Sequence, residues 1–247
     1  MKNNFVFSKK INHKYYSFIY QIDLKDKQMS YLILVRHGQS VWNLEKKFTG
    51  WVDVELTENG QLEAKKAGQL IKKENIEINL YYSSFQLRAK NTLKIIQDEL
   101  KDYKEVKNAW ELNERHYGAL QGLNKSETAS KFGEEQVKIW RRSFDIAPPL
   151  LSEDDKRHPK FSSMFKNVDF YLPRGESLKD VILRLNPFWD KYFKEIKEAK
   201  GSHLIVAHSN SLRAIIKILD NLSKEEIMSV DIPTGVPLIY NFDNNFN

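Results

Sequence analysis

Apolar and polar residues along this chain fall into blocks whose period changes in a regular order. Tyr31-Leu32-Ile33-Leu34-Val35 is a continuous apolar run that stops abruptly at Arg36-His37-Gly38. Its length, with β-branched Ile33 and Val35, predicts a buried strand. Ile78–Ser83 and His203–Ala207 predict two more strands, the second ending in His208-Ser209-Asn210. Shorter strands are predicted around Glu105–Asn108 and at Pro237–Phe242, the last at a sheet edge.

Between these runs the apolar spacing becomes helical. Thr57 can cap a helix whose Leu62, Ala67, Leu70 and Ile71 share one face. The segment after Ser83 carries Arg88, Leu93, Ile95, Ile96 and Leu100, and residues 126–142 are mostly helical. Ser177, with Asp180 three residues on, caps the longest helix. Its stripe runs through Leu178, Val181, Ile182, Leu185, Phe188, Trp189, Tyr192, Phe193 and Ile196, with Pro187 expected to kink it near the middle. Helices carrying Leu212–Leu219 and opening at Ser223-Lys224-Glu225-Glu226 complete the pattern. Strands alternating with helices predict an α/β fold: a mainly parallel sheet flanked by helices on both faces, in three α/β/α layers. Two stretches have no period. Trp110–Gly118, dense in charge and aromatic residues, is expected to be an irregular functional loop, and a long polar insertion opens at Pro148-Pro149 and runs to about Leu172.

Composition narrows the function classes. At 247 residues, with 41% hydrophobic residues, the chain is long enough for one large domain with a substantial core. It has no cysteine, which excludes disulfides, thiolate chemistry and Cys-ligated zinc. The net charge of +6 (39 basic against 33 acidic residues) is concentrated at the start. Residues 1–28 hold six lysines and two aspartates, leaving only +2 for the remainder, so a general basic face for nucleic acid is poorly supported. No apolar stretch approaches the roughly 20 residues of a membrane helix. Residues 1–28 are expected to be a flexible extension, and 29–247 the catalytic domain; an organelle-targeting role for the extension is the rival expectation, with a cytoplasmic location otherwise.

Candidate chemistry then gathers at the strand ends. In an open parallel sheet the carboxyl ends share one edge, where ligands bind. Arg36-His37, the Ser83–Arg88 segment and His208 would meet there. Arginine forks match phosphate or carboxylate oxygens, and neutral imidazole is a competent nucleophile towards phosphorus. A second imidazole opposite, when protonated, can stabilise charge on the equatorial oxygens of a transferring phosphoryl group. No acidic metal cluster accompanies them, so the cations would take the role of metal. Transfer to or from oxygen needs a general acid or base, and Glu114, between Trp110 and Tyr117, is the best candidate. Lys125, Arg141 and Arg142 form a second cationic group suited to a substrate with two anionic ends. Taken singly, each of these residues is more often structural. His116 is as readily structural as catalytic, and His13, His158 and His203 show no supporting partner.

From Tyr31 to Phe242 the chain resembles the 2,3-bisphosphoglycerate-dependent phosphoglycerate mutases of the histidine phosphatase superfamily. The motifs that carry this are Leu34–Ser40 with Trp42-Asn43, Phe48-Thr49-Gly50-Trp51, Leu112–Gly118 with Leu120–Lys125, Trp140-Arg141-Arg142, Ala207–Arg213 and Ile232–Pro237. The resemblance implies a phosphoglycerate mutase-like fold and interconversion of 3- and 2-phosphoglycerate through a phosphohistidine, primed by 2,3-bisphosphoglycerate with no metal. His37 would be the nucleophile, Glu114 the proton donor and acceptor, and Arg36, Arg88, Asn43 and His208 the holders of the phosphoryl group. Ser40, Thr49, Gly50, Arg115, Tyr117, Lys125, Arg141, Arg142, Ser209 and Asn210 would complete the substrate site. Family members are commonly homodimers or homotetramers, without nucleic-acid or membrane partners.

Ser40 and Thr49-Gly50 match the glycolytic mutases better than bisphosphoglycerate mutase, the close relative that mainly makes the bisphosphate. Three departures stand out. Ser209 replaces the usual glycine after the histidine and would either crowd the phosphate or add a donor. The chain stops at Asn247 without the Ala/Gly/Lys-rich tail that often covers the site, which would favour hydrolysis by a phosphatase-type reaction. Residues 1–28 have no counterpart. An inactive binding or scaffold module is the alternative from another class, and retention of His37, Glu114 and His208 argues against it.

Overall fold

Strands β1 (Ser30–Arg36), β2 (Ile78–Ser83), β3 (Val106–Asn108), β4 (Ser202–Ala207) and β5 (Pro237–Phe242) form a five-stranded sheet in the order β3-β2-β4-β1-β5. The protein is seen here as a computed structural model that describes residues 30–166, 168–199 and 201–242. The expected extension at 1–28, with His13, lies outside the described residues. Every pairing is parallel except β1 with β5, which is antiparallel and puts β5 at one edge, as its sequence predicts.

The alternation of side chains along the strands splits the core in two. Leu32 and Leu34 join Tyr82, Ile205 and Ala207 beneath α6 (Leu178–Ala199) and α7 (Ser209–Leu219). Ile33 and Val35 point the other way, with Tyr81, Leu204 and Val206, against α2 (Glu58–Lys73) and α3 (Leu87–Leu100). Both faces are therefore covered, which is why the central strands read as largely apolar runs. Burying each such Leu, Ile or Val contributes about 1.5–3 kcal/mol, so a charge at any one of these positions would open a layer.

The helix boundaries follow from local chemistry. Thr57 accepts the Gly60 N–H and starts α2, and Ser177 and Asp180 exchange hydrogen bonds at the start of α6, with Pro187 inside that helix. Ser223 and Glu226 form the expected box on α8 (Lys224–Ser229). One expectation needs correction. Leu62 is 65% exposed, because α2 buries the narrower face of Ala64, Ala67, Gly68 and Ile71. The stretch 126–142 is mostly helical as expected, divided into α4 (Lys125–Phe132) and α5 (Glu134–Arg142) at Gly133, whose φ of +87° ends α4.

The long insertion is packed down. Leu151, His158 and Phe165 are buried, and Phe170 stacks on Trp110 with ring centres 3.9 Å apart. Among the described residues no helix is long and apolar enough to cross a membrane.

Candidate active site

Register decides where the chemistry gathers. Arg36 pairs with Ala207 and Ser83 with Val206, so β1, β4 and β2 end within one residue of one another. The next residues are His37, His208 and Ser84. His37 extends the ladder by donating its N–H to the Ala207 carbonyl (3.0 Å), and the two imidazoles lie with ring centres 5.0 Å apart. Gly38 is required for a different reason. A Cβ there would lie 2.1 Å from the Gly60 carbonyl oxygen, because the turn after β1 passes directly against the start of α2.

The protonation of His37 can be read from its neighbours. Nδ1 lies 2.7 Å from the Gly38 carbonyl oxygen, which only accepts, so Nδ1 carries the hydrogen. The lone pair is therefore on Nε2, where Arg88 Nε donates at 3.3 Å. Burial, then Arg88 and Arg36, hold the His37 pKa well below its usual value, although the Gly38 hydrogen bond opposes them. The ring stays neutral and nucleophilic at neutral pH.

Arg88, at the first turn of α3, is buried and anchored by its other nitrogens to the Val52 and Gly50 carbonyls (3.1 and 2.9 Å). Burial lowers its pKa to about 10, so it remains a cation at neutral pH. Arg36 is fixed by donation to the Ile232 carbonyl (2.7 Å). His208 is fully buried, with Nε2 2.7 Å from Ser84 Oγ, and burial together with Arg88 and His37 depresses its pKa strongly.

Glu114 faces these groups from the loop after β3. Its Oε1 accepts from the Arg115 N–H (2.7 Å), Asn210 Nδ2 (2.9 Å) and the Asn210 N–H (3.2 Å). Oε2 accepts no hydrogen bond among the described residues. Its backbone is pinned as well. Gln86 Oε1 accepts the Glu114 N–H (2.9 Å) while Gln86 Nε2 donates to the Gly50 carbonyl (2.8 Å), joining the Glu114 loop to the Arg88 anchor.

A cavity of about 160 Å³ opens over this edge. Arg36, Arg88, Lys47, Lys125, Arg141, Arg142 and Arg213 supply seven cations to its lining, against the carboxylates of Glu114 and Asp231. The two cationic groups expected from sequence thus share one space, and the balance selects an anion with charge at both ends. His37, Asn43, Thr49, Gly50, Tyr117, Ser209 and Asn210 also line it. Burial raises the Tyr117 phenol, but Arg115 and Lys125 outweigh it, so the group ends below its usual value. Lys125 is lowered, by burial first and then by Arg141 and Arg36, against the pull of Tyr117.

Three predicted site residues stand behind the lining. Ser40 is buried and caps α1 (Val41–Leu44), exchanging hydrogen bonds with Asn43. Arg115 is buried, donates to the Arg141 carbonyl (3.0 Å) and lies 4.6 Å from the centre of the Tyr117 ring. His208 sits beneath, against His37. The other histidines fall elsewhere. His116 accepts the Gly118 N–H and is held by burial at about 3, His158 accepts the Lys160 N–H, and His203 is in the core. Lys47, Arg213 and Asp231 reach the cavity without a role read from sequence. Arg213 lies within the Ala207–Arg213 motif, which offered a signal, whereas Lys47 and Asp231 look like ordinary surface charges. Among the described residues there is no cluster of three or more His, Cys, Asp or Glu that could hold a metal ion.

The sequence pattern of the histidine phosphatase superfamily (branch 1) matches residues 32–154 and 150–245. The chain is 54% identical over 218 residues to the 2,3-bisphosphoglycerate-dependent phosphoglycerate mutase of Treponema denticola, covering 87% of this chain and 88% of that protein. It is 50% identical over 219 residues to the protein of the same name from Parabacteroides distasonis, covering 88% of each. Among solved structures, a mycobacterial glucosyl-3-phosphoglycerate phosphatase superposes with a TM-score of 0.66 at 22% identity, over 85% of this chain and 92% of that one, a likeness of fold.

Proposed function

The chain belongs to branch 1 of the histidine phosphatase superfamily, and on that premise we propose that it is a 2,3-bisphosphoglycerate-dependent phosphoglycerate mutase, interconverting 3- and 2-phosphoglycerate. The observation that carries this reading is the pairing of a neutral His37, its Nε2 lone pair free of a proton, with Glu114 and two cationic groups around one cavity. Identity of 50–54% to relatives of that name supports the substrate. We take 29–247 as the catalytic unit.

His37 Nε2 attacks phosphorus, and the P–O bond breaks as the N–P bond forms. Arg36 and Arg88 hold the non-bridging oxygens, where charge is spread in a loose transition state. Glu114 gives its proton to the departing oxygen, and in the reverse step takes the proton of the hydroxyl that attacks the phosphohistidine. His208, left neutral by its depressed pKa, stabilises the same phosphoryl oxygens as a hydrogen-bond donor from behind His37 and not as a cation, and Asn43 adds a donor. Lys125, Arg141 and Arg142 hold the far anionic end, with Thr49, Gly50, Tyr117, Ser209 and Asn210 shaping the space between. Ser40 and Arg115 act through Asn43 and Tyr117, which they touch. Residues able to hold a dianion at each end are those that 2,3-bisphosphoglycerate requires; bound there, it supplies the priming phosphoryl group. The location we propose is the cytoplasm, and the assembly a homodimer or homotetramer.

The test is a product assay with and without added 2,3-bisphosphoglycerate, comparing wild type with His37→Ala. The expected result is 2-phosphoglycerate formed by wild type, strongly stimulated by the bisphosphate, together with an acid-labile phosphoryl label that His37→Ala loses. Release of free phosphate with no 2-phosphoglycerate would overturn the mutase reading in favour of a phosphatase. Absence of any label would leave only a binding module.

A further inference from the structure

The segment 111–116, the end of a 3-10 turn (Trp110–Leu112) followed by irregular backbone, is largely buried, so its backbone groups need partners inside the protein. One side chain from α6 supplies donors to three of the segment's carbonyls. Arg184 donates from Nη1 to the Glu111 carbonyl, and from Nη2 to the carbonyls of Asn113 (2.8 Å) and Glu114 (3.0 Å). Its Nε lies 2.6 Å from Glu176 Oε1, in an ion pair whose side chains are only 8% and 5% exposed. Glu176 Oε2 accepts the His116 N–H (2.7 Å), and the Glu176 N–H donates to the His116 carbonyl (2.8 Å). The pair therefore grips the loop on both sides of Glu114. Trp51 Nε1 donates to the same Glu114 carbonyl (2.6 Å), and the Arg184 guanidinium lies 5.8 Å from the centre of the Trp51 ring.

A buried ion pair is a poor means of stabilising a fold, since apolar residues of similar volume commonly serve as well or better. What apolar residues cannot supply is a set of donors and acceptors directed at fixed points along a backbone. Neither Arg184 nor Glu176 lines the cavity. We propose that the Arg184–Glu176 pair is a positioning device for proton transfer: it locks the backbone from Glu111 to His116 so that the Glu114 carboxyl stays within reach of the oxygen that gains or loses the phosphoryl group. This rests on Glu114 being the proton donor and acceptor.

The experiment is a double-mutant cycle on the full chain, with Arg184→Lys, Glu114→Gln and the double variant assayed as mutases with 2,3-bisphosphoglycerate present. Lysine keeps the charge but loses the fork, so it cannot reach three carbonyls and a carboxylate together. A shift of about 1 Å in a catalytic group costs on the order of 100-fold, so Arg184→Lys is expected to lower kcat by roughly 10- to 100-fold while KM changes less than about threefold. In the Glu114→Gln background the same substitution is expected to cost less than about twofold, because the group it positions is already gone. Equal losses in both backgrounds, or a loss carried by KM, would overturn the proposal. If Glu114→Gln alone retains near wild-type kcat, the proton-transfer reading itself fails, and this proposal with it. Thermal unfolding of each variant controls for folding. Should Arg184→Lys not fold, Glu176→Gln carries the same comparison, since it keeps an acceptor for the His116 N–H while removing the ion pair.

Discussion

Replacing Gly38 by alanine tests the link between the fold and His37, the nucleophile we propose, most directly. An alanine Cβ would stand 2.1 Å from the Gly60 carbonyl oxygen, 2.8 Å from its carbon and 3.0 Å from its Cα. All three are backbone atoms, so no side chain can swing aside. Ordinary contact begins near 3.4 Å, which requires the two segments to separate by about 1 Å. The displacement falls on Gly38 itself, whose carbonyl fixes the His37 tautomer (2.7 Å) and whose N–H donates to Thr92 Oγ1 (3.0 Å). Overpacking of this kind costs about 1–3 kcal/mol of stability. A shift of about 1 Å at the nucleophile costs on the order of 100-fold in kcat, equivalent to about 2.7 kcal/mol of barrier. The measurements are urea unfolding, steady-state mutase assays, and 15N chemical shifts of the His37 ring, which show a hydrogen on Nδ1 in wild type and a changed tautomer ratio in the variant. A variant with kcat within about threefold of wild type and an unchanged tautomer would refute the argument, because the clash would then have been absorbed without moving His37.

Two further predictions concern protons. Because burial, Arg88 and Arg36 depress the His37 pKa, the rate of His37 phosphorylation should stay flat as pH falls from 7.5 through 6.5 and decline only below it; rapid-quench labelling that shows half the rate at pH 6.5 would mean an unperturbed imidazole. His203 is fully buried between Tyr82 and Tyr192, and burial holds it at about 4 against 6.5 unfolded. A depressed histidine contributes stability that is fully present above pH 6.5 and is lost as pH falls towards 4. The stability of His203→Leu relative to wild type should therefore rise by about 2 kcal/mol between pH 7.5 and pH 5. Urea titrations at the two pH values that give a constant difference would show that His203 is not neutral in the fold.

The apolar runs of β1, β2 and β4 were legible because strands covered on both faces need no polar positions, so their ends are sharp and their order with the helices names the fold. Arg36-His37 and His208 stood out for the same reason, as polar groups placed where an apolar run stops. The cationic content of the cavity was also visible, as clustered motifs. Less was visible wherever identity of the neighbour, and not local period, decides the outcome. Leu62 has the spacing of a core residue, yet α2 meets its neighbours through Ala64, Ala67, Gly68 and Ile71, and Leu62 is left outside. The break at Gly133 depends on a backbone angle that the helical spacing of 126–142 does not announce. Ser40 and Arg115 were placed in the substrate site by motif, but hydrogen bonds to Asn43 and to the Arg141 carbonyl turn them to the layer behind it. Gln86 and the Arg184–Glu176 pair had no sequence signal, because the backbone groups they hold lie 28 to 73 residues away. Sequence by itself determined which elements form and which polar side chains stand at their ends, since both depend on local composition and period. Tertiary structure decided which of those side chains face the cavity and what holds them there, since burial obliges each backbone N–H and carbonyl of an irregular loop to find a partner, and only the folded chain determines which one is near.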